Sequence, residues 1–239
     1  MTEDEAQNWL ADRGWWDGPQ GDRLRGFATM VLDEANRQNL ISAASKAEIW
    51  SRHIVDSAQL LVLASNGATQ SAGFWADLGT GAGFPGLVVA CLREAPIILI
   101  EARPLRAQFL ERCASELNLV HVKVVTGKVE QVKLPEAASV ISARAYAPLD
   151  RLLSSAHHLS GTDTVWLLPK GRSGRSELHA VQPLWDGVFH VEQSLTDAES
   201  VIVTVSGLQR REKGIRGARR PASHYQPWRA GPPKKGSQP

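Results

Sequence analysis

The spacing of apolar positions changes character part-way along this chain, and that change divides it. From Asp22 onward Leu24, Phe27, Ala28, Val31, Leu32 and Ala35 follow an i, i+3, i+4, i+7 rhythm, which predicts an amphipathic helix ending near Asn39. Ser45 and Glu48 have capping-box spacing, and Ile49, Trp50, His53, Ile54, Leu60 and Leu61 supply the apolar face of a second helix to about Ala64. Before Asp22, Trp9, Trp15 and Trp16 are scattered among Gly and Pro without a sustained period, so residues 1–21 read as a loosely ordered lead-in. Residues 22–70 then form a helical prefix, closed by the linker SNGATQSAG.

Beyond the linker short apolar runs alternate with helical periods. FWADL, IILIE, VKVVT, SVISA and TVWLL read as strands; PGLVVACLREA, PLRAQFLERCASELN and APLDRLLSSAHHL read as helices between them. Such alternation predicts a doubly wound, mostly parallel α/β sheet over residues 71–207. GVFHVEQSL and SVIVTVSGL are joined by too short a polar connection for a helical crossover, so they should pair as an antiparallel hairpin at the sheet edge.

Composition changes this picture in two places. With 43% hydrophobic and 22% charged residues the 239-residue chain is that of a globular protein, with no apolar run of membrane-span length and no secretory pattern in MTEDEAQNWL, so a cytoplasmic location without membrane contact is expected. Cys91 and Cys113 lack metal-ligand spacing and fall on apolar helix faces, as buried free thiols do; no metal is expected. The net charge of +2 hides an asymmetry, because residues 207–239 hold nine Lys or Arg against one acid, a balance of +8 that leaves −6 on the remainder. A basic, Pro/Gly-rich tail over residues 208–239 suits nucleic acid contact or solubilising disorder.

The candidate chemistry lies in ADLGTGAGFPG, residues 76–86, which follows the first strand and opens the first helix at the carboxyl edge where open α/β sheets bind ligands. Gly81, Gly83 and Gly86 satisfy G-x-G-x-x-G, and Glu101 ends the second strand where it could accept ribose hydroxyls, so a nicotinamide-dinucleotide oxidoreductase is one reading. Asp77 heads a D-x-G-x-G-x-G pattern, however, as in class I methyltransferases that use S-adenosylmethionine. No acid/base constellation for hydride transfer and no second catalytic domain follow.

At this point the chain resembles a family, the bacterial 16S rRNA guanine-N7 methyltransferases called RsmG or GidB. The resemblance runs from about residue 24 to 205 and rests on NLIS from Asn39, RHIVDS from Arg52, DLGTGAGFPG from Asp77, ISAR from Ile141 and PKG from Pro169, in that order. It implies a class I (Rossmann-like) fold and transfer of a methyl group from S-adenosylmethionine to N7 of a guanine near the decoding region of the small ribosomal subunit. Gly79 and Phe84 match the family's cofactor contacts, with Gly81 and Gly83 adjacent; Glu101 would hold the ribose, and Val129 and Glu130 match the segment that cradles the adenine. Arg144 matches a functional arginine facing cofactor or RNA phosphate, and Lys170 a similarly placed lysine; these two are the candidate catalytic residues. Asn39, Arg52, His53 and Asp56 of the prefix are candidate substrate contacts, although His53 and Asp56, as i, i+3 neighbours, equally suit a structural hydrogen bond. Pro169 stands where the family commonly has leucine, which leaves the backbone path around Lys170 open.

Guanine N7 presents an unprotonated lone pair, so the absence of a general base agrees with this chemistry. N7 of an A-form helix is sunk in a deep major groove, so the target should lie in a loop or be flipped out. The expected partner is 16S rRNA in the 30S subunit or its assembly intermediate, met by a monomer. A catalytically inactive RNA-binding protein of the same fold is the non-enzymatic alternative.

Overall fold

The computed structural model describes residues 1–66 and 73–211. Seven strands form one sheet: β1 Trp75–Leu78, β2 Ile97–Glu101, β3 Val122–Thr126, β4 Ala138–Ser142, β5 Ser160–Lys170, β6 Trp185–Gln193 and β7 Val201–Arg210. Their order is β3-β2-β1-β4-β5-β7-β6, parallel from β3 to β5, with β7 antiparallel to both neighbours. Every residue of β1 and β2 is buried, because helices cover both sheet faces and a central parallel strand has no wet side. The chain winds outward from β1 to β3 and then returns to β4, so the β1/β4 gap is the topological switch where a crevice opens at the strands' carboxyl ends.

Eight α-helices are described: α1 Glu3–Ala11, α2 Gly18–Glu34, α3 Ala43–Lys46, α4 Asp56–Asn66, α5 Gly86–Leu92, α6 Pro104–Glu116, α7 Leu149–Ala156 and α8 Gly174–Val181. One face of the sheet carries α5 and α6, and the prefix helices pack there as an outer layer; Leu24, Phe27 and Ile54 share a single core with Leu87, Val88 and Leu99. The opposite face buries Leu149, Leu152, Leu153, Leu178 and Val181 from α7 and α8. The prefix is therefore part of the domain's core rather than a separate unit.

Several expected boundaries need correction. Residues 1–21 are not loosely ordered: Thr2 and Glu5 close a capping box on α1, Glu3 accepts the backbone N–H groups of Trp50 (3.1 Å) and Ser51 (2.8 Å), and Pro19 lies in the first turn of α2. The helix expected from Asp22 to Asn39 starts and stops earlier, at Gly18 and Glu34. The second one is broken into α3, a π-helical turn over Trp50–Val55, and α4. Its cap is Ser42, whose hydroxyl accepts Ser45 N–H, and not Ser45 with Glu48. At the far end β7 runs through Arg210 and Arg211 N–H bonds Leu184 C=O, so the strand extends past the boundary expected at residue 207. The rest of the basic tail, residues 212–239, and the linker core, 67–72, lie outside the described residues.

Candidate active site

The glycine loop is held from beneath by a buried chain of hydrogen bonds. Trp75 Nε1 donates to Ser142 Oγ at 2.7 Å, that hydroxyl donates to Asp77 Oδ1 at 2.6 Å, and Gly86 N–H donates to Asp77 Oδ2 at 3.0 Å. Asp77 thus ties β1 to β4 and to the first turn of α5. Burial pushes its carboxyl up to about 6, against the pull of the Ser142 and Gly86 hydrogen bonds. Above it Gly83 has φ +100°, and a Cβ there would sit 2.7 Å from Phe27 Cζ, so the prefix can press onto the loop only where a side chain is missing.

Glu101, at the end of β2, is 5% exposed, and its carboxylate is already engaged: Oε2 accepts Gly81 N–H at 2.9 Å and Oε1 accepts Arg103 N–H at 2.8 Å. It shapes the loop, and each oxygen keeps a lone pair. Gly127 N–H bonds Glu101 C=O, which places buried Val129 and exposed Glu130 beyond the adjoining end of β3. Glu101, Val129 and Glu130 lie at the carboxyl ends of β2 and β3 and line neither of the two clefts beside the loop.

On the β4 side the RHIVDS and ISAR segments meet. Arg144 Nη2 donates to His53 Nδ1 at 2.9 Å, its Nη1 donates to Asp56 Oδ2 at 3.2 Å and to Arg52 C=O at 3.0 Å, and its Cζ stands 4.9 Å from the Phe84 ring centroid. His53 stacks on Phe84 at 4.8 Å with 19° between the planes. Desolvation, then the positive charges of Arg144 and Arg52, push the imidazole down to about 3. The side chains of His53 and Asp56 do not bond each other as the i, i+3 spacing allowed, although Asp56 N–H donates to His53 C=O; His53 from the π-helical turn and Asp56 from the start of α4 both face Arg144. Asp56 Oδ1 also accepts from Gln59 Nε2 and Thr196 Oγ1, each at 3.0 Å, which fastens the β6–β7 turn to α4.

Two clefts of about 800 Å³ and 480 Å³ share Asp56, Arg144, Ala145 and Ser200, so Arg144 sits on the divide between them. Gly79, Gly81, Phe84, Arg52 and His53 line the larger; Lys170 lines the smaller. Lys170, a candidate catalytic residue by resemblance, has a side chain 10% exposed, and Nζ donates to Ala147 C=O at 2.7 Å and Glu177 at 3.0 Å. Pro169 continues β5 in register with Ile202 of β7, where β4 no longer flanks it, so the substitution leaves the backbone path regular. Asn39 is exposed, and its backbone C=O accepts from Arg106 Nη2 at 3.0 Å; Arg52 is exposed and paired with Glu48. Sequence reasoning missed Ser142, Tyr146 and Arg106. Ser142 lay within a quoted block, whereas Tyr146, whose ring a Cβ on Gly79 would meet at 2.5 Å, and Arg106 carried no local signal.

Among the described residues no cluster of His, Cys, Asp and Glu is placed to hold a metal, and no helix is long and apolar enough to cross a membrane.

Residues 20–200 match the family model for GidB, rRNA small subunit methyltransferase G. The chain belongs to this family. Curated relatives agree: a ribosomal RNA small subunit methyltransferase G of Rhizorhabdus wittichii is 46% identical over 92% of this chain and 99% of its own. One of Novosphingobium aromaticivorans is 45% identical over 85% of this chain and 87% of its own. Among solved structures, a SAM dependent methyltransferase from Aquifex aeolicus has a TM-score of 0.51 at 12% identity, over 66% of this chain and 91% of that one. The glycopeptide N-methyltransferase MtfA has 0.52 at 11% identity, over 63% and 89%. Those likenesses carry the fold alone, and the family carries methyl transfer. Membership in GidB sets aside the oxidoreductase reading of the glycine loop.

Proposed function

We propose that this chain transfers a methyl group from S-adenosylmethionine to N7 of a guanine in 16S rRNA, in the decoding region of the small subunit. One observation carries the choice of atom: among the described residues, no side chain lining the two clefts is poised as a base. His53 has its Nδ1 lone pair engaged by Arg144 and its pKa pushed down to about 3. Glu48 is paired with Arg52, Asp56 with Arg144, and Glu177 with Lys170, while Asp197 accepts Glu199 N–H and the Ser200 hydroxyl. An exocyclic amine or a hydroxyl needs a proton removed, and N7 does not.

The residues present fit the methyl donor. Glu101 offers a free lone pair on each oxygen for ribose hydroxyls, Val129 and Glu130 flank that side, and Gly79, Gly81 and Phe84 border the larger cleft on the other. When bound, S-adenosylmethionine would supply a methyl carbon on a sulfonium, whose C–S bond would break with its electrons going to sulfur as the N7 lone pair took the methyl group. This chain's part is alignment and exclusion of water. Phe84 and His53 give a flat apolar wall, and Arg144, fixed by three hydrogen bonds, holds a cation where guanine or its phosphate arrives.

The experiment is methyl transfer from labelled S-adenosylmethionine to 30S subunits from cells lacking this activity, with strand cleavage at N7-methylguanine to map the product. A single mapped guanine is expected. No incorporation into subunits, assembly intermediates or naked 16S rRNA overturns the proposal.

A further inference from the structure

Four arginines line the larger cleft: Arg52, Arg106, Arg144 and Arg172. Three are matched to carboxylates. Arg52 pairs with Glu48, Arg144 with Asp56 at 3.2 Å, and Arg172 with Glu199 at 3.3 Å. Arg106 has no carboxylate partner among the described residues, and the one hydrogen bond given to its side chain is from Nη2 to Asn39 C=O. That bond uses one of five N–H donors.

Its position is set rather than free. Arg106 lies in the first turn of α6, and the loop it bonds is tied to the same turn by Gln38 Nε2 donating to Leu105 C=O at 3.3 Å. The half-buried side chain reaches back over the glycine loop, and Nη1 stands 3.7 Å from where a Cβ on Gly81 would be. A guanidinium does not shed its proton, and partial burial strengthens its pull on an anion. An unmatched cation held at the mouth of a ligand cleft therefore has a missing counter-charge.

We infer that Arg106 is the cleft's oxyanion-recognising residue, pairing in fork geometry with a carboxylate or phosphate of what binds there. The inference rests on the methyl-transfer reading, which brings two sources of that group: the α-carboxylate of the donor and a phosphate of the RNA.

The test is Arg106→Gln, which loses the charge while keeping an N–H for Asn39, with Arg106→Lys as the charge-keeping control. Calorimetry measures S-adenosylhomocysteine and 5′-methylthioadenosine, which differ in carrying or lacking the amino-acid end, and 16S rRNA affinity is followed across a salt titration. If the donor supplies the oxyanion, Arg106→Gln weakens S-adenosylhomocysteine about ten- to a hundredfold and leaves methylthioadenosine unchanged. If the RNA supplies it, both small ligands keep their affinity, RNA binding weakens, and the salt slope falls by about one unit. In either case Arg106→Lys recovers part of the loss. Equal weakening of both small ligands, or no change in any ligand, overturns the inference. A parent protein that binds neither nucleoside nor RNA overturns the methyl-transfer reading itself, and the assignment of Arg106 with it.

Discussion

Arg144 donates to Nδ1 of His53, and that bond settles the imidazole as the Nε2–H tautomer. The residue that looks most like a base in this cleft is thereby spent on orienting a cation. Nitrogen-15 NMR should find His53 neutral from pH 8 down to about 4, since its pKa is pushed to about 3. Arg144→Gln removes the second-largest cause of that shift and should move the titration upward. A His53 signal titrating near its ordinary 6.5 in the parent protein would break this account.

His53 and Asp77 give opposite pH dependences of stability. Between pH 6.5 and 3 the unfolded chain takes up a proton that folded His53 refuses, so stability falls as pH drops. Asp77, raised from 3.8 to about 6, keeps a proton that the unfolded chain has released, so its contribution falls as pH rises through that window. The slopes oppose each other between about 3.8 and 6. His53→Gln should therefore be less destabilised at pH 4 than at pH 7.5, by about 3 kcal/mol in urea titrations. A difference from the parent that is constant with pH would refute the linkage.

Ser142→Ala should destabilise by about 2–4 kcal/mol, because it strands two buried partners at once, the Trp75 indole N–H and one Asp77 oxygen. Denaturant unfolding reads the loss. Ser142→Thr, which keeps the hydroxyl, should recover part of it, and a loss below 0.5 kcal/mol would mean the network carries little.

The sequence made the centre of this site legible and left its supports obscure. RHIVDS and ISAR could be read as blocks, yet only folding shows that Arg144 joins His53 to Asp56, because the contact spans 88 residues or more. The parallel sheet followed from apolar runs such as IILIE, buried throughout. By contrast α8 holds just two large apolar residues in the core, Leu178 and Val181, too few to show a period in eight residues. The order of residues 1–21 was half visible, since Thr2 and Glu5 have capping-box spacing. What fixes α1 in place is Glu3 accepting from the turn at Trp50 and Ser51, a relation between distant segments.

Lys170 should prove a brace rather than a reacting group. Its partner Glu177 accepts from Leu149 N–H and the Ser173 hydroxyl as well, so the pair joins β5, α8 and the start of α7. Although burial opposes it, hydrogen bonds from Ser173, Lys170 and Leu149 hold Glu177 below the usual carboxylate range. The pair's contribution should thus fade as pH drops through that range. Lys170→Met and Glu177→Gln should each destabilise, and the double variant by about 1–2 kcal/mol less than their sum. The KM for RNA should follow stability in the double variant. A KM that stays high after stability returns would instead put Lys170 on the RNA.

The basic tail is the last element that separates contact from solubilisation. Arg210 and Arg211 belong to the hairpin, the latter bonding Asp186 at 2.7 Å, so the informative deletion is residues 212–239. Those residues carry seven Lys or Arg against one acid, a balance of +6 beside a body that repels polyanions. If they lie on phosphates, each neutralised charge releases counterions, and deletion should flatten the salt dependence of RNA binding by up to about 4 in log–log slope. Binding would weaken most at low salt, while affinity for S-adenosylhomocysteine would be unchanged. An unaltered slope would remove the tail from RNA recognition and leave the cleft arginines to supply it.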